Sequence, residues 1–120
     1  MIRIRLKTKY TAALLVPFLV LTGCATAKLL PGANKVQVID KNPRGQCRLI
    51  GPIWHSERNG ISQSYQSEEH LRQDVINRLK NKAVKLGANQ VVIIHKKVTR
   101  AAHRVDIYEL KGQAYFCKKA

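Results

Sequence analysis

Between Ser67 and Gly87 the chain carries one amphipathic helix pattern with strand-like segments on both sides, and this arrangement leaves few folds open. Ser67 is a good helix N-cap, and Glu68 and Glu69 put acids in the first turn, where the helix dipole favours them. Leu71, Val75, Leu79, Ala83 and Leu86 recur every three or four residues, and Ile76 widens the stripe. Gly87 stands where a left-handed C-terminal residue belongs. The spacing predicts a helix over 68–86 whose apolar stripe must be buried on something, and the rest of the pattern offers only a sheet.

Val36-Gln37-Val38-Ile39 has β-branched residues in partial alternation and predicts a first strand. Asn42-Pro43-Arg44-Gly45 is a turn signal. Residues 47–55 predict a second strand, in which Pro52 cannot donate to a ladder and so implies an edge position or a bulge near Gly51. Residues 56–66 are polar, contain Asn59-Gly60 and predict a loop. Residues 90–98 predict a buried strand that turns polar at its end. After a short connection over 99–103, residues 104–117 predict a long alternating strand in which Gly112 marks a bulge or bend. The order is β-β-α-β-β. One helix can cover one face of a sheet, so the expected fold is a small α+β domain over 36–120, an antiparallel sheet of about four strands with one helix packed on it.

The first 23 residues have a different character. Arg3, Arg5, Lys7 and Lys9 form a positive segment without acids, followed by an apolar run from about Thr11 to Leu21. The run suits the core of an export signal and is short of the ~20 residues that a spanning helix needs. Leu21-Thr22-Gly23-Cys24 then places an aliphatic residue three before a cysteine, with small residues between, and resembles the lipobox of bacterial lipoproteins. That resemblance implies cleavage before Cys24 and acylation of its thiol and new amine, a palmitate-type anchor of two or three chains. The residue after Cys24 is Ala25 rather than the aspartate that resembles an inner-membrane retention signal, which implies the periplasmic face of the outer membrane. Residues 24–35, interrupted by Pro31 and Gly32, read as a lipidated tether. Eleven residues after the cysteine reach about 35 Å at most.

Cleavage would leave 97 residues, enough for one core. Four of the 22 basic residues and none of the seven acids lie in the first 23, so the remainder is formally +11. Such a balance points to anionic neighbours, which outside the cytoplasm are lipid head groups, lipopolysaccharide phosphates, peptidoglycan carboxylates or acidic protein patches; nucleic acid is not expected there. With Cys24 acylated, Cys47 and Cys117 remain as one even pair, which in an oxidising compartment reads as a disulfide. The alternative, a metal-ligand or redox role, lacks a Cys-x-x-Cys or Cys-x-x-His spacing.

The segment Lys80-Asn81-Lys82-Ala83-Val84-Lys85-Leu86-Gly87-Ala88-Asn89-Gln90-Val91-Val92 resembles the helix-to-strand passage of a family of small bacterial lipoproteins known only as a domain of unknown function. The Cys47-Arg48-Leu49-Ile50-Gly51 strand and the closing Gly112-Gln113-Ala114-Tyr115-Phe116-Cys117 strand match the same family, over roughly residues 36–118. More distantly the chain is similar to the Rcs-type envelope stress sensor lipoprotein, which has more cysteines and a long proline-rich linker. The resemblance implies lipid on Cys24 and a structural Cys47–Cys117 bridge, and it supplies no enzymatic residues.

Signs of catalysis are few. His55, His70, His95 and His103 have no metal-ligand spacing, Asp106 and Glu109 fall on opposite sides of a strand, and no nucleophile elbow or phosphate loop is present. We therefore expect no enzymatic activity, cofactor or metal. The expected function is that of a membrane-anchored envelope lipoprotein binding other envelope components, as an assembly subunit or stress sensor. The alternative is a basic module for anionic lipid, lipopolysaccharide or peptidoglycan. Its candidate contacts are Arg44, Arg48, Lys80, Lys82 and Lys85, with Lys96 and Lys97 beside them. The plain reading of the helical lysines is a solvated face.

Overall fold

Ser67 does cap the helix. Its Oγ accepts the N–H of His70 at 3.1 Å, and α1 runs Glu68–Leu86 in the computed structural model, which describes residues 27–60 and 65–119. Gly87 adopts φ 79°, and its N–H reaches the carbonyls of Ala83 and Val84. The export segment 1–23 and Cys24 lie outside the described residues. Among the described residues no helix is long and apolar enough to cross a membrane.

Four strands, β1 (Gln37–Ile39), β2 (Gln46–Arg58), β3 (Gln90–Ala101) and β4 (Arg104–Lys118), form one sheet in the order β1-β3-β4-β2. The α+β class, the strand number and the β-β-α-β-β order are as expected, but the sheet is mixed rather than wholly antiparallel. β1 runs parallel to β3, pairing Gln37 with Gln90 and Ile39 with Val92, while β2 and β3 flank β4 in antiparallel ladders. The turn after β1 does not close a hairpin. It carries the chain across the sheet from one edge to the other, so β1 and β2 never pair, and the helix then returns the chain alongside β1 in the same direction.

α1 buries Leu71, Val75, Leu79 and Ala83 against Ile53, Val91, Tyr108, Leu110 and Ala114. Leu86 continues the stripe in sequence but is exposed. Pro52 lies on an edge strand, and the β2 register shifts between Leu49 and Gly51, as the proline required. β2 is longer than expected. Ser56, Glu57 and Arg58 pair with Glu109, Tyr108 and Ile107, so the predicted loop loses its first residues to an edge strand whose polar side chains hid it. The loop's ends are pinned by Asn59, whose side chain donates to the carbonyls of Gln66 and Val105 and accepts the N–H of Gln66; residues 61–64 lie outside the described residues.

Gly112 does not itself bulge. The irregularity is opposite it on β3, between Ile93 and His95, and leaves Ile94 exposed where a buried strand was expected. Gly112 instead permits close backbone approach, because a Cβ there would collide with the carbonyl oxygen of Val92. Gly112→Ala should destabilise the domain by about 1–3 kcal/mol. Gly51→Ala, where a Cβ meets only open space, should change stability by less than about 0.5 kcal/mol. Paired urea titrations check both.

The expected tether is not free over its described length. Ala27–Leu30 lies along α1, bonded to Asp74, Asn77 and Asn81. A 3-10 turn, Ala33–Lys35, then leads into β1 with Ala33 and Val36 buried.

Candidate functional site

β1 is only three residues long and flanks β3 no further than Val92. Beyond that point α1 overhangs an uncovered strip of sheet, and the gap forms a groove of about 560 Å³. Its floor is apolar: Val38, Ile39, Ile76, Ile93, Tyr108 and Leu110. Its rim is cationic: Lys41, Arg44, Arg72 and Lys96, with Asp40 the one acid among the lining residues. A shallower hollow continues along β1 and adds Lys80 and Gln73.

The rim residues are positioned by ordinary local chemistry. The Gln90 side chain imitates a strand toward the turn, accepting the Arg44 N–H and donating to the Arg44 carbonyl, both at 3.0 Å. This fixes Arg44 although it lies outside any ladder. The Lys96 Nζ sits 5.6 Å from the centre of the Tyr108 ring, so the floor aromatic also steadies a rim cation. Arg72 Nη1 lies 3.0 Å from Glu69 Oε1 on the open helix surface. The arrangement can hold an anion at the rim while an apolar portion of the same ligand rests on the floor.

The expected basic set is therefore divided. Arg44 joins Lys41, Arg72 and Lys96 at the groove, and Lys80 lines the adjoining hollow with Arg44 and Arg72. Lys82 lies on the other flank of α1, where its Nζ donates to the Trp54 carbonyl at 2.7 Å and stands 5.4 Å from the indole ring. Lys85 is exposed in the last helical turn, and Arg48 lies 6.0 Å from the Phe116 ring on β2. Lys97 is opposite Glu109 in the register. Residues 80 and 82 are near in sequence, but at 100° per residue they point to opposite flanks of the helix. Arg72 and Lys41 were not among the expected contacts. Arg72, Ile76 and Lys80 form an i, i+4, i+8 line along one helix flank, and that line was the available signal.

On the Lys82 side, Glu57 is shared between two partners: His55 Nε2 at 3.5 Å and Arg78 Nε at 3.7 Å. Burial first, and then the nearby Lys82 charge, hold the His55 pKa below its usual value, with Glu57 opposing. Burial and Arg78 likewise lower that of Lys82. A histidine kept neutral in the fold protonates more readily once unfolded. Its contribution to stability is therefore complete above about pH 6.5 and is lost as pH falls below that toward the lower folded value. Thermal melts from pH 7.5 to 5.5 should show this fall, and His55→Gln should flatten it.

Cys47 and Cys117 are directly opposite in the β2–β4 register and are joined as a disulfide, with Cα atoms 4.0 Å apart. Asn89 reinforces that end of β4. Its side chain accepts the Cys117 N–H and donates to the Cys117 carbonyl, both at 2.8 Å. The Gly87-Ala88-Asn89 segment thus stops the helix, buries Ala88 and clamps the last strand. The four histidines sit on β2, α1, β3 and the β3–β4 turn, and among the described residues no three His, Cys, Asp or Glu side chains gather as a metal site.

A mixed four-stranded sheet under one helix, tied at its end by a disulfide and by Asn89, defines a small α+β domain. The chain belongs to the family described as a domain of unknown function, DUF4156, which matches residues 27–117. It is similar to the uncharacterized protein YjeI of Escherichia coli strain K12 and of Shigella flexneri. Each is 29% identical over 84 residues, which cover 69% of this chain and 72% of the relative. No solved structure matches the chain.

Proposed function

We propose that this is a non-enzymatic lipoprotein, acylated at Cys24 and held at the periplasmic face of the outer membrane, whose domain binds an anionic, partly apolar component of the envelope. The observation that carries this reading is the groove, an apolar floor of about 560 Å³ under a rim of Lys41, Arg44, Arg72 and Lys96. It favours the basic binding module, first held as the alternative, over a bare docking subunit. Lipopolysaccharide and acidic phospholipids combine phosphate with acyl chain as the groove requires. Peptidoglycan fragments offer carboxylates with little apolar area.

A second reading, a subunit or stress sensor that meets another envelope protein, is favoured by the exposed Leu49 and Trp54 on edge strand β2. The distant likeness to the Rcs-type sensor adds to it.

Co-sedimentation separates the readings. The mature chain with Cys24→Ser is mixed with phosphatidylglycerol vesicles, phosphatidylcholine vesicles or muropeptides at low and high salt. Binding to the anionic vesicles that weakens with salt, as screening of rim charges requires, is the expected result. Equal binding to both lipids, or none, would count against the groove reading.

A further inference from the structure

The polar side chains on the outer face of α1 are occupied by the chain's own N-terminal segment. Asp74 and Asn77 point away from the sheet yet are only 9% and 7% exposed. The Asp74 carboxylate accepts the Ala27 N–H, and Asn77 Nδ2 donates to the Ala27 carbonyl at 2.8 Å. One turn on, Asn81 Nδ2 donates to the Lys28 carbonyl at 2.7 Å, and Asn81 Oδ1 accepts the Leu30 N–H at 2.8 Å. These side chains read the main chain on both its donors and its acceptors, as a neighbouring strand would. From Leu30 the 3-10 turn continues without slack into β1.

We infer that Ala27–Leu30 is a staple that holds the outer face of α1 against the leaflet carrying the Cys24 lipid. The inference rests on the reading of Cys24 as the lipid site. Ala27 is three residue steps from Cys24, a reach of about 10 Å, where a free eleven-residue tether would allow about 35 Å. The domain is therefore kept at the head-group level. The surface beside the staple suits that position. Its backbone bonds leave Leu29 and Leu30 39% and 37% exposed, and Lys28, Lys35 and Lys85 are exposed around them. Outward leucines among lysines are the composition of an interfacial contact with anionic lipid.

The test uses the full acylated chain in vesicles of phosphatidylethanolamine and phosphatidylglycerol containing head-group-proximal brominated lipid. With Trp54→Phe as background, one variant carries Lys85→Trp beside the staple. Another carries Leu49→Trp, whose register partner Tyr115 alternates with the buried Ala114. The tryptophan at position 85 should be quenched at least twofold more than that at 49. Adding Asp74→Ala, Asn77→Ala and Asn81→Ala should abolish the difference. If that triple variant fails to fold by circular dichroism, Asn81→Ser alone, at a part-exposed site, should reduce it. Equal quenching at the two positions, or a difference that survives release of the staple in a folded chain, would overturn the staple. Intact mass on the same preparations reads the acyl group: an unmodified Cys24 overturns the anchoring reading and the staple's role with it. An acylated chain without the quenching difference overturns the staple alone.

Discussion

Cys117→Ser should lower the stability of this domain by roughly 4 kcal/mol, and a reductant should do the same to the unsubstituted chain. The bridge spans 70 residues of sequence, so removing it releases a long loop in the unfolded ensemble. It also joins the ends of β2 and β4, which meet opposite one another, and β2 is an edge strand whose ladder is interrupted between Leu49 and Gly51. Without the bridge, the Gln46–Leu49 end of β2 is held by its short ladder and the Arg44–Gln90 pair just before it, while Asn89 still holds the end of β4. Urea unfolding with and without reductant measures the effect. The midpoint of the oxidised chain should fall on reduction, and that of Cys117→Ser should not respond. An unchanged midpoint on reduction would mean that the bridge adds nothing to stability.

Neutralising the groove rim is the second large effect. Arg44→Gln, Arg72→Gln and Lys96→Gln together should weaken binding to phosphatidylglycerol vesicles on the order of a hundredfold, at about 1 kcal/mol per cation near an anionic surface. Arg48→Gln, Lys97→Gln and Lys111→Gln remove the same formal charge from exposed positions outside both the groove and the staple and should cost far less. The comparison matters because a chain of this net charge could adhere to any anionic surface through diffuse attraction. Similar losses from the two triple variants would show binding to be a matter of total charge, and the groove irrelevant. The stability of both sets should change little, since Arg44, Arg48, Arg72, Lys97 and Lys111 are exposed and Lys96 gains only a ring contact.

What could be read from residues alone follows the range of the interaction. Helix 68–86 is written in adjacent residues, by the Ser67 cap, the four-residue stripe and Gly87, and it stands at the expected limits. Pro52 announced an edge or bulge because a missing N–H is a local fact, and both are present. The parallel pairing of β1 with β3 was not legible. Nothing in Val36–Ile39 records which distant strand will lie beside it, and the turn signal at 42–45 says that the chain changes direction but not where it goes. The end of β2 was hidden because Ser56, Glu57 and Arg58 are strand residues with loop-like polarity. The groove was half legible. Arg44 and Lys80 were picked for their charge, but Arg72, Lys41 and the apolar floor depend on β1 stopping at Ile39, which leaves a gap under α1. The staple escaped altogether. Asp74, Asn77 and Asn81 look like solvated helix residues, and their partners are main-chain groups that carry no side-chain signature.

Whether the groove receives an anionic amphiphile can be read from backbone amide resonances of the ¹⁵N-labelled mature chain with Cys24→Ser. A lysophosphatidylglycerol is added below its micelle concentration, with lysophosphatidylcholine as the neutral control. Saturable shifts concentrated at Ile39, Arg44, Ile76, Ile93, Lys96 and Tyr108 are expected with the anionic lipid, and weaker ones with the neutral lipid. Shifts scattered over the basic surface, or centred on Leu49 and Trp54 of β2, would contradict binding in the groove.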